Sequence, residues 1–399
     1  MLTPDIGVTS LSMSTCYAFW RWSQVTSWTR ILVAGGILGL ALLAKTNALV
    51  LYPALTSGVL LHSYFRPECR SMKKTLQLIV AFIVSIYVLN LGYGFDGSFK
   101  KLKEYEFFSK TFRTVIEAYS FQDSALGNIP IPLPAAFLEG IDLQRRDFEN
   151  IDESKKSYLR GQWYDNGWWW YYFYVIAVKV PIPIWLLFIV GLTTLAFCKR
   201  DLRLESFCYI LIPGILLFAL PCTQSGFSHS LRYVLPAFPF AFMIACVSFA
   251  SAKPFIGLRR RLSCGALIWL ILSSLSAYPH SLSYFNEIAG GAKNGHFHLL
   301  DGNLDWGQDF FFLQDWIEEH PEKQPLYIAY WGILPLNEMN LTFNEPKLNA
   351  DDPIPPGWYL ISVNHLRGEY RFGKPELHRF LALEPIERIT NTIYLYHIK

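Results

Sequence analysis

Long apolar runs separated by short polar connections fill most of the first 279 positions of the chain. A helix needs about 17–20 apolar residues to cross a bilayer, and we also count shorter, interrupted runs. The runs lie at 6–20, 31–44, 48–65, 76–95, 168–197, 207–221, 233–250 and 264–278. This pattern predicts a polytopic α-helical membrane protein with about eight spans, in which residues 31–65 form a hairpin of two short helices with Lys45 near its tip.

Two long regions of the chain are hydrophilic. Residues 96–167 form a polar stretch with prolines at positions 130, 132 and 134, which predicts a large loop. Residues 280–399 show helical apolar spacing at 309–320 and strand-like runs at 326–331, 358–363 and 392–397. The sequence therefore predicts a membrane domain over 1–279, which includes the loop, and a small α/β domain over 280–399.

Basic residues are confined to alternate connections between the apolar runs. These connections hold Arg21 and Arg30, residues 66–74, residues 199–203 and residues 253–261. Connections rich in Lys and Arg stay on the cytoplasmic side of a membrane. Both hydrophilic regions are then predicted to face outward, on the same side as Asp5 and Lys45.

The composition supports a membrane protein and excludes other classes. Hydrophobic residues make up 52% of the chain and charged residues 17%, against about 25% charged residues in a typical soluble domain. The net charge of +3 is too small to indicate a nucleic-acid partner. Seven cysteines occur without a CxxC pair, so neither a disulfide framework nor a zinc site is expected.

Lys45, Lys179 and Arg232 are the cations that the predicted sidedness gathers at the outer membrane face. Cations at this depth suit a lipid-linked phosphate, because they stabilise the negative charge of a departing phosphate group. The alternative for each is a side chain that reaches toward the interface and binds anionic lipid headgroups.

Asp5 and His229 are the acid–base candidates on the same face. Asp5 could act as a base or bind a divalent metal, or it could be a carboxylate favoured by the start of its helix. His229, three residues before Arg232, could act as a base or a ligand; a hydrogen-bonding loop residue is the alternative.

An aromatic block from Trp168 to Tyr174 leads into an apolar run broken around Lys179 by Pro181 and Pro183. Tyr and Trp concentrate where a chain enters a bilayer. The tail carries DGNLDWGQD at 301–309, which lacks the glycine and glutamate of a calcium loop at the required positions. We expect this segment to be a turn that caps the helix after it, and contact of a sugar with Asp305 and Trp306 is the alternative.

Four segments carry a resemblance to a known family: GLALLAKTNALVLYPAL at 39–55, YLRGQWYDNGWWWYYFYVIAVKVPIPI at 158–184, LRYVLPAFPF at 231–240, and the tail from Ser283 to Asp309. They resemble family-39 glycosyltransferases of the GT-C class, which are related to protein O-mannosyltransferases and lipid A aminoarabinose transferases. The tail is similar to an extension found in one bacterial branch.

The resemblance implies transfer of a sugar from a polyprenyl-phosphate carrier to an acceptor on the periplasmic face of a bacterial inner membrane. It implies that Lys45 and Arg232 meet the carrier phosphate and that Asp5 matches an acidic position at the outer end of an early span. Further candidate substrate contacts lie in these motifs: Tyr158, Trp168, Tyr172, Lys179 and Tyr233.

Members of the family have an earlier span and an outer loop with an acidic pair that includes the catalytic base. Nothing in this chain precedes Asp5 that matches them, so we expect a glycosyltransferase that lacks its N-terminal part and with it that base. The alternative from another class is a non-catalytic membrane protein, either a transporter or a scaffold that binds lipid carriers. A transporter would show ionisable groups near mid-span and a two-fold repeat, and neither is evident in the sequence.

Overall fold

Two of the apolar runs fold as helices that begin at serine side chains. In the computed structural model the Ser27 hydroxyl accepts a hydrogen bond from the backbone N–H of Arg30, and the Ser71 hydroxyl accepts one from Lys73. Such bonds satisfy N–H groups that have no partner within the first turn of a helix. The structure describes residues 4–69, 71–118, 125–149, 156–224, 230–250, 256–339, 343–348, 352–368 and 374–399.

Fifteen α-helices are formed by the described residues. In chain order, α1 to α15 are Pro4–Gln24, Trp28–Ala44, Leu51–Phe65, Met72–Gly92, Lys110–Ala118, Ala135–Glu149, Tyr171–Lys179, Ile182–Ala196, Arg200–Ser206, Ile212–Cys222, Phe238–Val247, Ile256–Ala277, Gly295–His298, Phe310–Glu319 and Val363–Arg367. Short 3-10 helices precede α3 (Thr46–Val50) and α11 (Leu231–Ala237), and a π-helical turn (Phe207–Leu211) joins α9 to α10.

Three described helical segments are long and apolar enough to cross a membrane: Thr46–Phe65, Met72–Gly92 and Arg200–Cys222. The pair α7 and α8, interrupted between Lys179 and Ile182, passes the same test together and would make a fourth. Trp28–Ala44 and Leu231–Val247 are apolar but shorter. The apolar helices of a membrane protein are therefore present, whereas the predicted number of about eight spans is not confirmed, because several of the apolar runs form helices that are too short or too polar.

The described chain divides into two compact units. Unit 1 comprises Met1–Asn150, Ile184–Gly226 and Arg232–Ala266, and unit 2 comprises Ile151–Pro183, Phe227–Leu231 and Leu267–Lys399. The second unit thus contains the aromatic stretch before Pro183 as well as the hydrophilic tail.

Small residues set the packing of unit 1, where α2 lies against both α1 and α4. A Cβ atom added to Gly35 would stand 2.5 Å from the carbonyl oxygen of Ala81, and one added to Gly39 would stand 2.7 Å from that of Ser85. Glycine at these two positions therefore lets the backbones of α2 and α4 approach closely, as is common between membrane helices. The other half of the expected hairpin, α3, packs mainly against α10 and the π-helical turn, so the two short helices have different neighbours.

The polar loop after α4 folds around α5 and α6. Asp142 of α6 is buried and accepts the backbone N–H groups of Phe108 and Ser109 at 2.6 and 3.1 Å. Seven residues later, Glu149 accepts those of Lys110 and Thr111. Two carboxylates on one face of α6 thus supply partners for the N-terminal end of α5.

Unit 2 contains a four-stranded sheet with the order β3-β4-β6-β5. Its strands are Leu326–Ala329 (β3), Gly357–Ser362 (β4), Glu387–Arg388 (β5) and Ile393–Ile398 (β6); a separate hairpin joins Ser157–Leu159 (β1) to Gln162–Tyr164 (β2). β3 and β4 are parallel, whereas β6 is antiparallel to both β4 and β5.

Helix α14 covers one face of this sheet. Its buried residues Phe310, Leu313 and Ile317 share a core with Leu326, Leu360 and Leu395. The helix and the three strands predicted in the tail are confirmed to within a few residues, because their apolar spacing marks which face of each element is buried.

Candidate functional site

At the break between α2 and α3, Lys45 forms an ion pair with Asp5 within unit 1. The backbone of Lys45 is extended, with φ −165° and ψ 142°, so α2 ends at Ala44. The Lys45 ammonium donates a hydrogen bond to Asp5 Oδ1 at 2.6 Å, and the two side chains are 18% and 3% exposed. Asp5 lies in the first turn of α1, where the helix dipole favours a carboxylate. The carboxylate therefore fixes the position of the ammonium group.

Tyr233 lies beside two cations in the same unit. Lys45 Nζ is 4.7 Å from the centroid of the Tyr233 ring, and Arg232 Cζ is 5.4 Å from it. A cation near the face of an aromatic ring is attracted by the ring's quadrupole. We call Asp5, Lys45, Arg232 and Tyr233 the cation cluster. It brings two cationic side chains and one carboxylate together around an aromatic ring.

A residue of the polar loop after α4 also reaches this break. The Thr46 hydroxyl, next to Lys45, donates a hydrogen bond to Oε1 of Gln144 at 3.0 Å. Gln144 lies on α6, about one hundred residues further along the chain. A lone glutamine in a polar loop carries no periodic or motif signal, so the sequence does not point to it. Only the tertiary structure brings Gln144 to the break.

Lys179 belongs to unit 2 and has different partners from Lys45. Its ammonium donates hydrogen bonds to the carbonyl oxygens of Leu282 and Asn303, at 2.7 and 2.6 Å. It also lies 4.4 Å from the centroid of the Phe285 ring. The side chain is buried. These contacts hold the end of α7 against residues Leu282 and Asn303. The predicted contact of Lys179 with a substrate stays a prediction.

Asn286 satisfies the backbone where α7 stops. Its side-chain amide donates to the carbonyl oxygens of Ala177 and Val180, at 2.6 and 2.9 Å, and its backbone N–H donates to that of Val178 at 2.9 Å. Carbonyl groups at a helix end need partners from outside the helix, and Pro181 and Pro183 have no N–H to offer. Asn286 therefore stabilises the break that the two prolines create, and no sequence signal identified it.

Three of the four aromatic residues predicted to contact substrate lie in unit 2. The Tyr158 hydroxyl donates to the carbonyl oxygen of His296 at 2.7 Å, and burial raises the pKa of Tyr158 to about 12. Tyr172 is buried with its ring perpendicular to that of Tyr171. Trp168 is partly exposed and lies over Tyr171, with the ring centroids 6.3 Å apart. Substrate binding by these residues remains a prediction.

Two further predictions concern acid–base and metal chemistry. His229 lies outside the described residues, so its predicted role is unchanged. No group of three or more His, Cys, Asp or Glu side chains that could hold a metal ion occurs in the described part of the chain.

The DGNLDWGQD segment forms a turn that is held by its own side chains. Asp305 Oδ1 accepts the backbone N–H of Gly307 at 2.8 Å, and burial raises the pKa of Asp305 to about 7. Asp309 accepts the Thr392 hydroxyl at 2.6 Å and faces His280 Nδ1 at 3.2 Å. Asp309 is the residue before α14, but its side chain makes no capping bond. The expected turn is present and Asp309 occupies the N-cap position, but the expected side-chain cap is wrong, because this carboxylate contacts Thr392, just before β6, and His280 instead.

These observations define the class of protein: a chain of apolar helices with membrane-spanning length in at least three segments, a cation cluster in unit 1, and a small α/β fold in unit 2. Residues 1–90 match the family model described as dolichyl-phosphate-mannose-protein mannosyltransferase. This match supports a membrane glycosyltransferase that uses a lipid-linked sugar, and it covers Asp5 and Lys45 but less than a quarter of the 399 residues. No curated protein and no solved structure matches the chain.

Proposed function

We propose that this protein is a GT-C-like glycosyltransferase of family 39 that takes a sugar from a polyprenyl-phosphate carrier. The observation that carries the proposal is the cation cluster, in which the Tyr233 ring lies beside both Lys45 and Arg232. The two cations bind the carrier phosphate, and the aromatic ring lies next to both of them. Residues 1–90, which contain half of this cluster, match a family named for a sugar carried on a lipid phosphate.

The reaction is a displacement at the anomeric carbon of the sugar. An acceptor hydroxyl forms a new bond to this carbon, the bond from the carbon to the phosphate oxygen breaks, and the acceptor proton passes to a base. Negative charge grows on the departing lipid phosphate. Lys45 and Arg232 stabilise that charge more in the transition state than in the ground state, which is the condition for a faster reaction.

Asp5 acts in this proposal by holding the Lys45 ammonium, to which it is bonded at 2.6 Å. A carboxylate in such a pair orients the cation toward the phosphate. Asp5 and His229 remain the candidates within this chain for the base that accepts the acceptor proton.

The proposed location is the outer face of a bacterial inner membrane, with the C-terminal α/β fold in the periplasm. This placement rests on the alternation of basic connections along the sequence. The donor is proposed as a polyprenyl-phosphate sugar, and the family name makes mannose the first sugar to test.

Binding of undecaprenyl phosphate to the purified chain, measured by native mass spectrometry in detergent, tests the site. Lys45→Gln and Arg232→Gln each remove a charge from the cluster, so we expect each to weaken binding by about tenfold or more. Lys73→Gln and Arg200→Gln remove exposed charges from unit 1 and are the matched controls. Affinity that is unchanged in both cluster variants would exclude the proposed phosphate site.

Transfer is tested separately with radiolabelled undecaprenyl-phosphate mannose and membrane extract as the source of acceptor. Labelled product that depends on Arg232 supports the enzyme. Carrier binding that depends on Lys45 and Arg232 without transfer of any sugar tested supports the alternative, a non-catalytic protein that binds lipid carriers.

A further inference from the structure

Helix α4 has two apolar faces that differ in the size of their side chains. The buried face includes Ala81 and Ser85, whose backbone carbonyls meet Gly35 and Gly39 of α2. The opposite face is a stripe of large side chains, each more than half exposed. We call it the exposed stripe, and its members are Leu76, Ile79, Ile83, Tyr87 and Leu91.

The size difference indicates what each face contacts. Helices inside a membrane pack on one another through small residues that allow close approach, whereas large apolar side chains on the outside face lipid tails. The exposed stripe runs over sixteen residues from Leu76 to Leu91, and the fifteen steps between them span about 22 Å at 1.5 Å per residue. This is most of the hydrocarbon thickness of a bilayer, which is about 30 Å.

The stripe does not end with the helix. The next positions at the same spacing of four are Phe95 and Phe99, which are 42% and 59% exposed. The rings of Tyr87 and Phe95 are in contact, with centroids 5.7 Å apart, so Phe95 continues the same face beyond the helix. We call residues 93–99 the aromatic turn.

The backbone of the aromatic turn is unusual for such large residues. Phe95 has φ 61° and Phe99 has φ 65°, the left-handed region that glycine adopts without strain. Holding a bulky residue there costs about 1–3 kcal/mol. Complete transfer of an exposed Phe side chain from water to an apolar phase returns about 1.5–3 kcal/mol, and rings that are 42% and 59% exposed gain about half of this. A lipid environment for each ring would therefore offset part of its backbone strain.

The aromatic turn is bonded to the outer loop. The Phe99 N–H donates to the carbonyl oxygen of Ile131 at 2.9 Å, and the Ile131 N–H donates to that of Lys100 at 3.0 Å. The side-chain amide of Asn90, near the end of α4, donates to the carbonyl oxygen of Pro132 at 3.1 Å. Four residues after Ile131 the chain enters α6, which carries Gln144 to the break at Lys45.

We propose that the aromatic turn is a lipid anchor: Phe95 and Phe99 insert into the boundary between acyl chains and headgroups at the C-terminal end of α4. The anchor holds the outer loop at the bilayer surface and so fixes the start of α6. Lipid is the occupant because the turn is continuous with the exposed face of a helix long enough to span the membrane, and because that face has large rather than small side chains.

Photocrosslinking in lipid nanodiscs tests the anchor on the full-length chain. Phe95 and Phe99 are replaced singly by p-benzoylphenylalanine, and Phe137, which is 1% exposed, is the matched buried position. We expect irradiation to add the mass of one phospholipid at positions 95 and 99 and not at 137. Crosslinking to a second polypeptide, or no adduct at either position, would overturn the proposal.

Glycine variants provide a second test that does not depend on crosslinking. Phe95→Gly combined with Phe99→Gly removes both rings and relieves the left-handed backbone. If the rings anchor the loop in lipid, amide exchange at residues 99–104 and 129–135 in nanodiscs should rise at least tenfold. Exchange that is unchanged or slower would show that the two rings do not hold the loop at the bilayer surface, which would contradict the anchor.

Discussion

Lys45 and Lys179 look alike in the sequence, since each lies beside a helix break in an apolar stretch, but their contacts separate them. Lys45 is paired with a carboxylate and lies near an aromatic ring and a second cation. Lys179 donates to two backbone carbonyls and is almost fully enclosed. The proposed phosphate site therefore includes Lys45, and the difference between the two lysines arises from the residues that the fold brings to each.

A double-mutant cycle at Asp5 and Lys45 tests the ion pair. Asp5→Asn leaves a partly buried ammonium without its counter-charge, so we expect a loss of stability of about 3 kcal/mol. Lys45→Met alone strands the carboxylate with a similar loss. The double variant should lose clearly less than the sum of the two single variants. Thermal unfolding in detergent gives the four values, and additive losses would mean that the pair does not form.

Lys179→Met tests the fastening of α7. The variant keeps the apolar part of the side chain but leaves the carbonyl groups of Leu282 and Asn303 without this donor. We expect a loss of about 2 kcal/mol or more in the stability of unit 2. Lys293→Met, an exposed lysine in the same unit, is the control. Equal thermal midpoints for both variants would argue against the structural role.

Asp305 should make the stability of unit 2 depend on pH. Its pKa rises from 3.8 to about 7 on folding because the carboxyl group is buried. The folded state then holds a proton that the unfolded state releases between about pH 4 and pH 7, so this contribution is present at low pH and is lost as pH rises. Burial lowers the pKa of His296 to about 3, and this group acts in the opposite direction.

The Asp305 contribution is isolated by the difference between wild type and Asp305→Asn. We expect the variant to gain stability relative to wild type as pH rises from 4 to 8, by an amount on the order of a few kcal/mol. Asp315→Asn, an exposed carboxylate of α14, is the matched control. A difference between wild type and Asp305→Asn that stays constant across this range would contradict the raised pKa.

Among the elements, those of the tail were the most predictable. Helix α14 and strands β3, β4 and β6 lie where apolar spacing placed them, because each buries one face and exposes the other. The helices of unit 1 carry apolar residues on most sides, so periodicity locates them without showing which face meets which neighbour. The close approach of α2 and α4 was therefore not predictable from the pattern.

Gly35 and Gly36 provide a matched pair for testing that approach. A Cβ atom at Gly35 would lie 2.5 Å from a backbone oxygen of α4, whereas nothing lies within 4 Å of one at Gly36. Gly35→Ala should force α2 and α4 apart and lower the thermal midpoint. Gly36→Ala should leave it unchanged or raise it, since alanine favours a helix by about 1 kcal/mol over glycine. Similar midpoints for the two variants would exclude the packing described.

At the scale of the whole molecule, the proposed function depends on sidedness. We expect Lys101→Cys and Glu322→Cys, in a variant without the native cysteines, to react with a membrane-impermeant maleimide in intact spheroplasts. Lys73→Cys should react only after permeabilisation, because the basic connection at 66–74 is predicted to be cytoplasmic. Labelling of Lys73→Cys before permeabilisation, or of Glu322→Cys only after it, would reverse the predicted orientation. The cation cluster could then not be a phosphate site on the outer face of the membrane.

The sequence by itself determined the apolar helices, the α/β character of the tail and which residue types could carry chemistry. These follow from local spacing and composition, which a single chain displays directly. The tertiary structure alone decided that Asp5, Lys45, Arg232 and Tyr233 meet, that Asn286 supports the break after α7, and that Asp309 does not cap α14. Such contacts join residues far apart in the chain, and they depend on backbone approaches that no local pattern records.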